Sequence, residues 1–226
     1  MDNKLEKILY FLEWPWGIRQ GIRVDNELSE DYPALLVQGQ GACLVSVAEE
    51  IEDVLEDGDD WMSPNMTIED VDNFLFGGEA PTAYDTAYMM IPQEAGLQLR
   101  KKHAVRFDPP AEDREAFYEH ISEEDFLRGG VAPFARSCAV YEGDEIVALA
   151  GGRLQSGVLD LTCVTREDKR GNGYGLSAVS AMIEAYPKAL PLWRVEAENE
   201  ASIALAKRLG FIEYLKQEGI ILLEED

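Results

Sequence analysis

The sequence predicts an α/β fold, and three observations carry that expectation. Apolar residues recur at helical spacing in several segments, beginning with Leu5, Ile8, Leu9 and Leu12. Short apolar runs of strand type, such as "GACLVSV" and "RSCAVY", alternate with those segments. A turn holding Gly171, Gly173 and Gly175 stands directly between a strand and a helix. Periods of 3.6 and 2 alternating along one chain indicate helices packed on a sheet.

The first helix is expected to end before Pro15, because the residue preceding a proline disfavours the α region. "ALLVQ" and "GACLVSV" predict two short strands. Val47, Ile51, Val54 and Leu55 predict a second helix, with Glu49, Glu50, Glu52 and Asp53 outside its apolar stripe. Thr67 followed by Asp70 resembles a helix N-cap, Ile68, Val71 and Leu75 supply the apolar face, and Gly77-Gly78 stops the helix. From about Leu97 the pattern changes. "LQLRKKHAVRF" predicts a strand, and Pro109-Pro110 leads into two short helices around Phe117 and Phe126. "RSCAVY" and "IVALAGGRL" predict a hairpin through "EGDE", and "VLDLTCV" a third strand. Leu176, Val179, Met182, Ile183 and Tyr186 mark a helix that Pro187 ends. "LWRVEA" predicts a strand, Asn199 to Leu209 a helix with Gly210 as its left-handed cap, and "FIEYLKQ" and "IILLE" the final strands. No linker interrupts the order, so residues 1–96 and 97–226 are expected to be two regions with a soft boundary.

The chain has 226 residues, enough to bury a sizeable core. Its 44 acidic and 20 basic residues leave a net charge of -24, which repels nucleic acid and anionic membrane and attracts cationic ligands. With neither a membrane-length apolar run nor a signal-peptide pattern, the expected compartment is the cytoplasm. Cys43, Cys138 and Cys163 are odd in number and widely spaced in apolar surroundings, so they are read as buried free thiols. His103 and His120 are too few and too far apart for a metal or catalytic cluster, and are read as surface or packing residues. Arg100, Lys101, Lys102 and Arg106 form a basic patch in an acidic chain, read as a solvated face or a partner for acidic residues of the N-terminal region.

The sharpest motif is Arg170-Gly171-Asn172-Gly173-Tyr174-Gly175. Glycines permit positive φ and let amides converge, and the following helix N-terminus adds partial positive charge, which together cradle a phosphate or diphosphate. The turn is not a P-loop, because Gly175 is followed by Leu176 and Ser177 where Lys and Ser or Thr would be needed. Nor is it the opening of a dinucleotide fold, since hairpin strands precede it.

Strand order, the R-x-x-G-x-G turn of Arg170, Gly173 and Gly175, and the later pattern of Asn199, Ser202, Leu205, Leu209, Gly210 and Phe211 resemble the GNAT N-acetyltransferase superfamily. The resemblance covers residues 97–226, and "ALAKRLGF" is similar to a bacterial branch with an extra N-terminal region, which accounts for residues 1–96. It implies a mixed, mostly antiparallel sheet flanked by helices, with a smaller N-terminal α/β region that caps the acceptor cleft. It also implies acetyl-CoA as cosubstrate. The pantetheine arm is expected along Cys163, Val164 and Thr165, and the diphosphate on Arg170, Gly171, Asn172, Gly173, Tyr174 and Gly175. Asn199, also an N-cap candidate, and Ser202 are expected near the cofactor.

Acetyl transfer to an amine needs the amine neutral, and a free alkylamine with a pKa of about 10.4 is nearly all protonated at neutral pH. A carboxylate base is therefore expected. Asp160 interrupts an otherwise apolar strand and is the first candidate, with Glu196 next and Glu198 behind it. Many members of the family carry a tyrosine where this chain has Ala206; Tyr174, Tyr214 or Ser202 are the available substitutes for that acid. The function expected is N-acetylation of a small-molecule or protein amine. A CoA-binding module without catalysis is the alternative, and an acidic mimic of nucleic acid is a third reading against which the intact glycine turn argues.

Overall fold

In the computed structural model, residues 3–15, 17–51, 62–78, 80–129 and 136–223 are described, and the chain divides into two compact units. The first takes residues 1–13, 90–194 and 200–212, and the second residues 14–89, 195–199 and 213–226. The fold is α/β, mostly antiparallel β-structure flanked by helices.

The first unit holds helix α1 (Asn3–Phe11), strand β5 (Val105–Phe107), helices α3 (Ala111–Tyr118) and α4 (Glu123–Gly129), strands β6 (Arg136–Glu142), β7 (Glu145–Gln155) and β8 (Val158–Thr165), helix α5 (Tyr174–Ala185), most of strand β9 (Leu190–Glu196) and helix α6 (Glu200–Leu209). Its strands lie in the order β9, β8, β7, β6, β5. All neighbours are antiparallel except β8 and β9. Successive side chains of a strand point to opposite faces. Cys138 Sγ donates to the Ala178 carbonyl of α5 at 3.2 Å, while its neighbour Ala139 packs in a buried cluster with Phe117, Ile146, Leu149 and Val164. Helices α5 and α3 therefore cover opposite faces of β6. Every residue of α5 from Gly175 to Ile183 is buried, including the hydroxyls Ser177 and Ser180.

The second unit holds strands β1 (Gln20–Val24), β2 (Ala34–Gly39) and β3 (Ala42–Val47), helix α2 (Ile68–Phe76), most of strand β4 (Thr82–Pro92) and most of strand β10 (Phe211–Leu222), with strand order β1, β3, β2, β10, β4. Gln40 and Gly41 turn the β2–β3 hairpin with φ of 51° and 78°, the left-handed pair that a two-residue loop requires. Thr67 caps α2 in a reciprocal box: Asp70 N donates to Thr67 Oγ1 at 3.2 Å and Thr67 N to Asp70 Oδ2 at 2.7 Å. Ile68, Val71 and Leu75 of α2 pack against Ala34, Leu36, Val45, Val47 and Ile220.

Some expectations change. The strand expected from Leu97 forms only over Val105–Phe107, because the amides before it bond to side chains of α5 instead of a neighbouring strand. The two final strands are one, β10, running unbroken through Gly219, where a Cβ would collide with the Tyr32 hydroxyl. Strands β1 and β4 were absent from the sequence reading. The helix expected on Ile51, Val54 and Leu55 falls mostly on residues 52–61, outside the described residues, and Val47 itself ends β3. No helix among the described residues is long and apolar enough to cross a membrane.

Candidate functional site

The parallel pairing of β8 with β9 runs from Val158↔Leu190 to Leu161↔Trp193 and stops there. β8 continues to Thr165, held on its other side by β7 through Ala148↔Thr165. Over Thr162 to Thr165 one edge of β8 thus has no ladder partner among the described residues. The Thr165 carbonyl accepts from Arg170 Nε at 3.4 Å, and the unladdered stretch before it is the kind of strand edge that can pair with an extended ligand. Cys163, Val164 and Thr165 stand on this stretch; burial pushes the Cys163 thiol up to about 12, so it stays protonated.

A short 3₁₀ turn, Glu167–Lys169, leads from β8 into the glycine turn. Gly171 and Gly173 have φ of 81° and 86°, in the left-handed region that a side chain disfavours. Asn172 Nδ2 folds the loop back on the Lys169 and Arg170 carbonyls at 3.1 and 3.4 Å. The first backbone bond of α5 is from Ser177 N to Gly173 O at 3.1 Å, which leaves the amides of Tyr174, Gly175 and Leu176 without acceptors inside the helix. At Gly175 a Cβ would meet Thr165 Oγ1 at 2.8 Å and Cys163 Sγ at 3.3 Å. Only a glycine lets α5 lie this close to the unpaired stretch of β8. A turn of this shape, with left-handed glycines and unsatisfied first-turn amides, fits a diphosphate.

The cations of the turn are mostly neutralised. Arg170 pairs with Asp125 at 2.6 Å, Lys169 with Glu142, and Arg166 with Glu145 at 2.8 Å and Asp168 at 3.1 Å. Tyr174 Oη donates to Glu142 at 2.7 Å, which pushes the phenol above its ordinary value; Lys169, then Tyr174, holds the Glu142 carboxyl below its own. His103, read from sequence as packing or surface, packs against Tyr174 with ring centroids 4.2 Å apart and planes tilted by 45°, and its Nε2 lies 3.1 Å from the Asn172 carbonyl. Of the basic patch, Lys101 pairs with Glu184, Arg106 lies over the Tyr141 ring, and the Lys102 stem lies beside Gly173.

Asp160 is buried on β8 and accepts two bonds from Arg194, Nε at 3.3 Å and Nη2 at 2.6 Å. The Arg194 guanidinium and that of Arg153 each lie 5.9 Å from the Phe11 ring centroid. Ser202 Oγ accepts from Trp193 Nε1 at 2.9 Å. Ala206 is fully buried in α6. Glu196, exposed, is the last residue of β9, Glu198 is exposed in the loop after it, and Asn199 immediately precedes α6 with its amide on the Glu196 carbonyl at 3.0 Å. Glu196, Glu198 and Asn199 belong to the second unit, whereas Asp160, Cys163, Val164, Thr165, the glycine turn and Ser202 belong to the first. Sequence reasoning missed Arg194, Glu142 and the place of Lys102 and His103. The signal available for the last two was the pair of serines, Ser177 and Ser180, on the apolar face of α5.

An open strand edge running into a glycine turn on an otherwise antiparallel sheet describes an acyltransferase-type α/β protein. Residues 99–211, half of the chain, match the acetyltransferase (GNAT) family, and the chain belongs to that family. Acetyl transfer is the family's general activity, and its members in general use acetyl-CoA. Solved structures that share the fold include a GCN5-related N-acetyltransferase from Sphaerobacter thermophilus, with TM-score 0.52 and 16% identity over 70% of this chain and 57% of that one. A GCN5-related N-acetyltransferase from Kribbella flavida gives 0.50 and 14% over 67% and 63%. A GNAT acetyltransferase from Colwellia psychrerythraea gives 0.50 and 12% over 68% and 61%, so the chain spans about three fifths of these relatives. No curated protein matches the chain.

Proposed function

We propose that the chain transfers the acetyl group of acetyl-CoA to an amine of a small molecule or a protein. The observation that supports this most is the end of the β8–β9 ladder at Leu161↔Trp193, beside a left-handed glycine turn at the N-terminus of α5. Acetyl-CoA supplies an activated thioester. The open edge at Cys163, Val164 and Thr165 is assigned to the pantetheine arm, and the amides from Arg170 to Gly175 to the diphosphate. Asn199 and Ser202 keep the cofactor contacts that the family resemblance implies. Residues 97–226 are assigned the transfer, and residues 1–96 a part in acceptor choice, in a protein of the cytoplasm.

Two carboxylates are assigned to the proton chemistry. Both oxygens of Asp160 are engaged by Arg194 in a buried position, whereas Glu196 is exposed on the strand end. Glu196 is therefore the proposed acceptor of the amine proton through water, and Asp160 a positioning residue that fixes Arg194. The net charge of -24 favours cationic acceptors, polyamines and lysine-rich peptides among them.

Ala206 favours a second reading, a CoA-binding module without turnover, since it offers no proton to a leaving thiolate. Thiol release from acetyl-CoA across a panel of polyamines, aminoglycosides, amino acids and peptides separates the two. Acceptor-dependent release is expected; CoA binding with no release over the whole panel supports the module.

A further inference from the structure

The segment from Arg100 to His103 has no regular secondary structure, yet α5 holds it at several points. Arg100 N donates to Ser180 Oγ at 3.0 Å, and Lys102 N and His103 N donate to Ser177 Oγ at 3.1 and 3.3 Å. Ser177 Oγ in turn donates to the Gly173 carbonyl at 3.0 Å. Both serines are fully buried, so their hydroxyls are committed to this strap. His103 closes it on the turn itself through Asn172 and Tyr174.

The strap fixes where the Lys102 side chain goes. Its Cδ lies 3.7 Å from where a Cβ on Gly173 would stand, which keeps Nζ within two bonds of that contact with the turn. Four cations of the region, Lys101, Arg166, Lys169 and Arg170, are each paired with a carboxylate. Lys102 has no ion-pair partner among the described residues. A chain of net charge -24 repels an anionic ligand at long range, so a local cation free of carboxylates has most to contribute where such a ligand docks.

Resting on the acetyl-CoA reading above, we infer that Lys102 is a cofactor-binding residue, a fixed cation held by Ser177 against the glycine turn to neutralise a phosphate group of CoA. The position is built from outside the turn, by a segment that precedes it by some seventy residues in the chain. Lys102 complements the amides: they orient phosphate oxygens, and the ammonium supplies the charge that the paired arginines do not.

Isothermal titration of the full chain with CoA and with 3′-dephospho-CoA at low ionic strength tests this. Lys102→Ala is expected to weaken CoA binding about tenfold, Lys102→Arg to restore most of it, and the difference between parent and Lys102→Ala to shrink with added salt. Lys101→Ala, one residue away but already paired with Glu184, is expected to bind like the parent. An equal loss with dephospho-CoA places the ammonium on the diphosphate, and a loss confined to CoA places it on the 3′-phosphate. Parent-like affinity of Lys102→Ala for both ligands overturns the inference and leaves the acetyl-CoA reading standing. A parent that binds neither ligand overturns both.

Discussion

At the scale of single residues, the Asp160–Arg194 pair decides how a candidate base is read. From sequence, an aspartate inside an apolar strand is a catalytic candidate or a carboxylate at a strand edge or facing solvent, and only the register of β8 on β9 brings Arg194 beside it. Removing Arg194 leaves a carboxylate in a buried position without its partner. Breaking a fully buried pair costs about 3–5 kcal/mol, but Arg194 is half exposed, so Arg194→Ala is expected to cost about 1–2 kcal/mol. Asp160→Asn is expected to lower the melting temperature in the same way, with turnover per folded molecule reduced less than in Glu196→Gln. For Glu196→Gln the fall is expected to be about 10² to 10⁴-fold, partly rescued at high pH where more of the amine is neutral. The opposite ranking in steady-state kinetics would return the base to Asp160. Cys138 gives a test by pH. Burial pushes its thiol from 9.0 up to about 12, so the unfolded chain loses this proton first and stability falls as pH rises from about 9 towards 12. The thiolate also cannot donate to the Ala178 carbonyl. Cys138→Ala is expected to flatten the decline of melting temperature between pH 9 and 11, and an unchanged slope would reject this origin.

At the scale of elements, the three glycines of the turn make separable demands. Gly171 needs only its positive φ, since a Cβ there meets nothing within 4 Å, and Gly171→Ala is expected to cost about 1 kcal/mol of strain. Gly175 has an ordinary φ but no room, so Gly175→Ala must push α5 off Thr165 and Cys163, at about 1–3 kcal/mol. Thermal unfolding is expected to rank Gly175→Ala below Gly171→Ala, while Gly173→Val should weaken CoA binding more than it weakens folding. A reversed stability order would mean that α5 does not rest on β8 as described. The turn, the hairpin of β6 and β7 and the capped helix α2 were legible in sequence because each is fixed by local chemistry: positive φ, a tight turn, a reciprocal cap. The segment before β5 was not. Its alternation imitates a strand, and what keeps it from the sheet is two serine side chains some seventy-five residues away. Gly219 lies between the two expected segments "FIEYLKQ" and "IILLE", yet β10 runs through it, and its missing side chain makes room for Tyr32. The open edge of β8 is implied only by the family resemblance and not by local pattern, since where a parallel ladder stops depends on the partner strand.

At the scale of the whole molecule, the two compact units and the net charge bear on how ligand binding is seen. A ligand that binds only the folded state stabilises it by about 2.7 kcal/mol at one hundred times its dissociation constant. A domain of roughly 150–250 residues gains about 2–4 °C per kcal/mol, so saturating acetyl-CoA is expected to raise the melting temperature by about 5–10 °C. That arithmetic holds for a single cooperative transition. The glycine turn and the open edge of β8 both lie in the first unit. If the units unfold separately, calorimetry should show two transitions, and acetyl-CoA should move the one that carries the first unit while leaving the other in place. If they unfold together, the whole transition should move. Gly173→Val serves as the control in either case: its own transition is expected near that of the parent, with most of the ligand-induced shift lost. A shift of equal size in the parent and in Gly173→Val would mean that acetyl-CoA stabilises the chain from somewhere other than the turn, and the assignment of the diphosphate to Arg170 through Gly175 would fall.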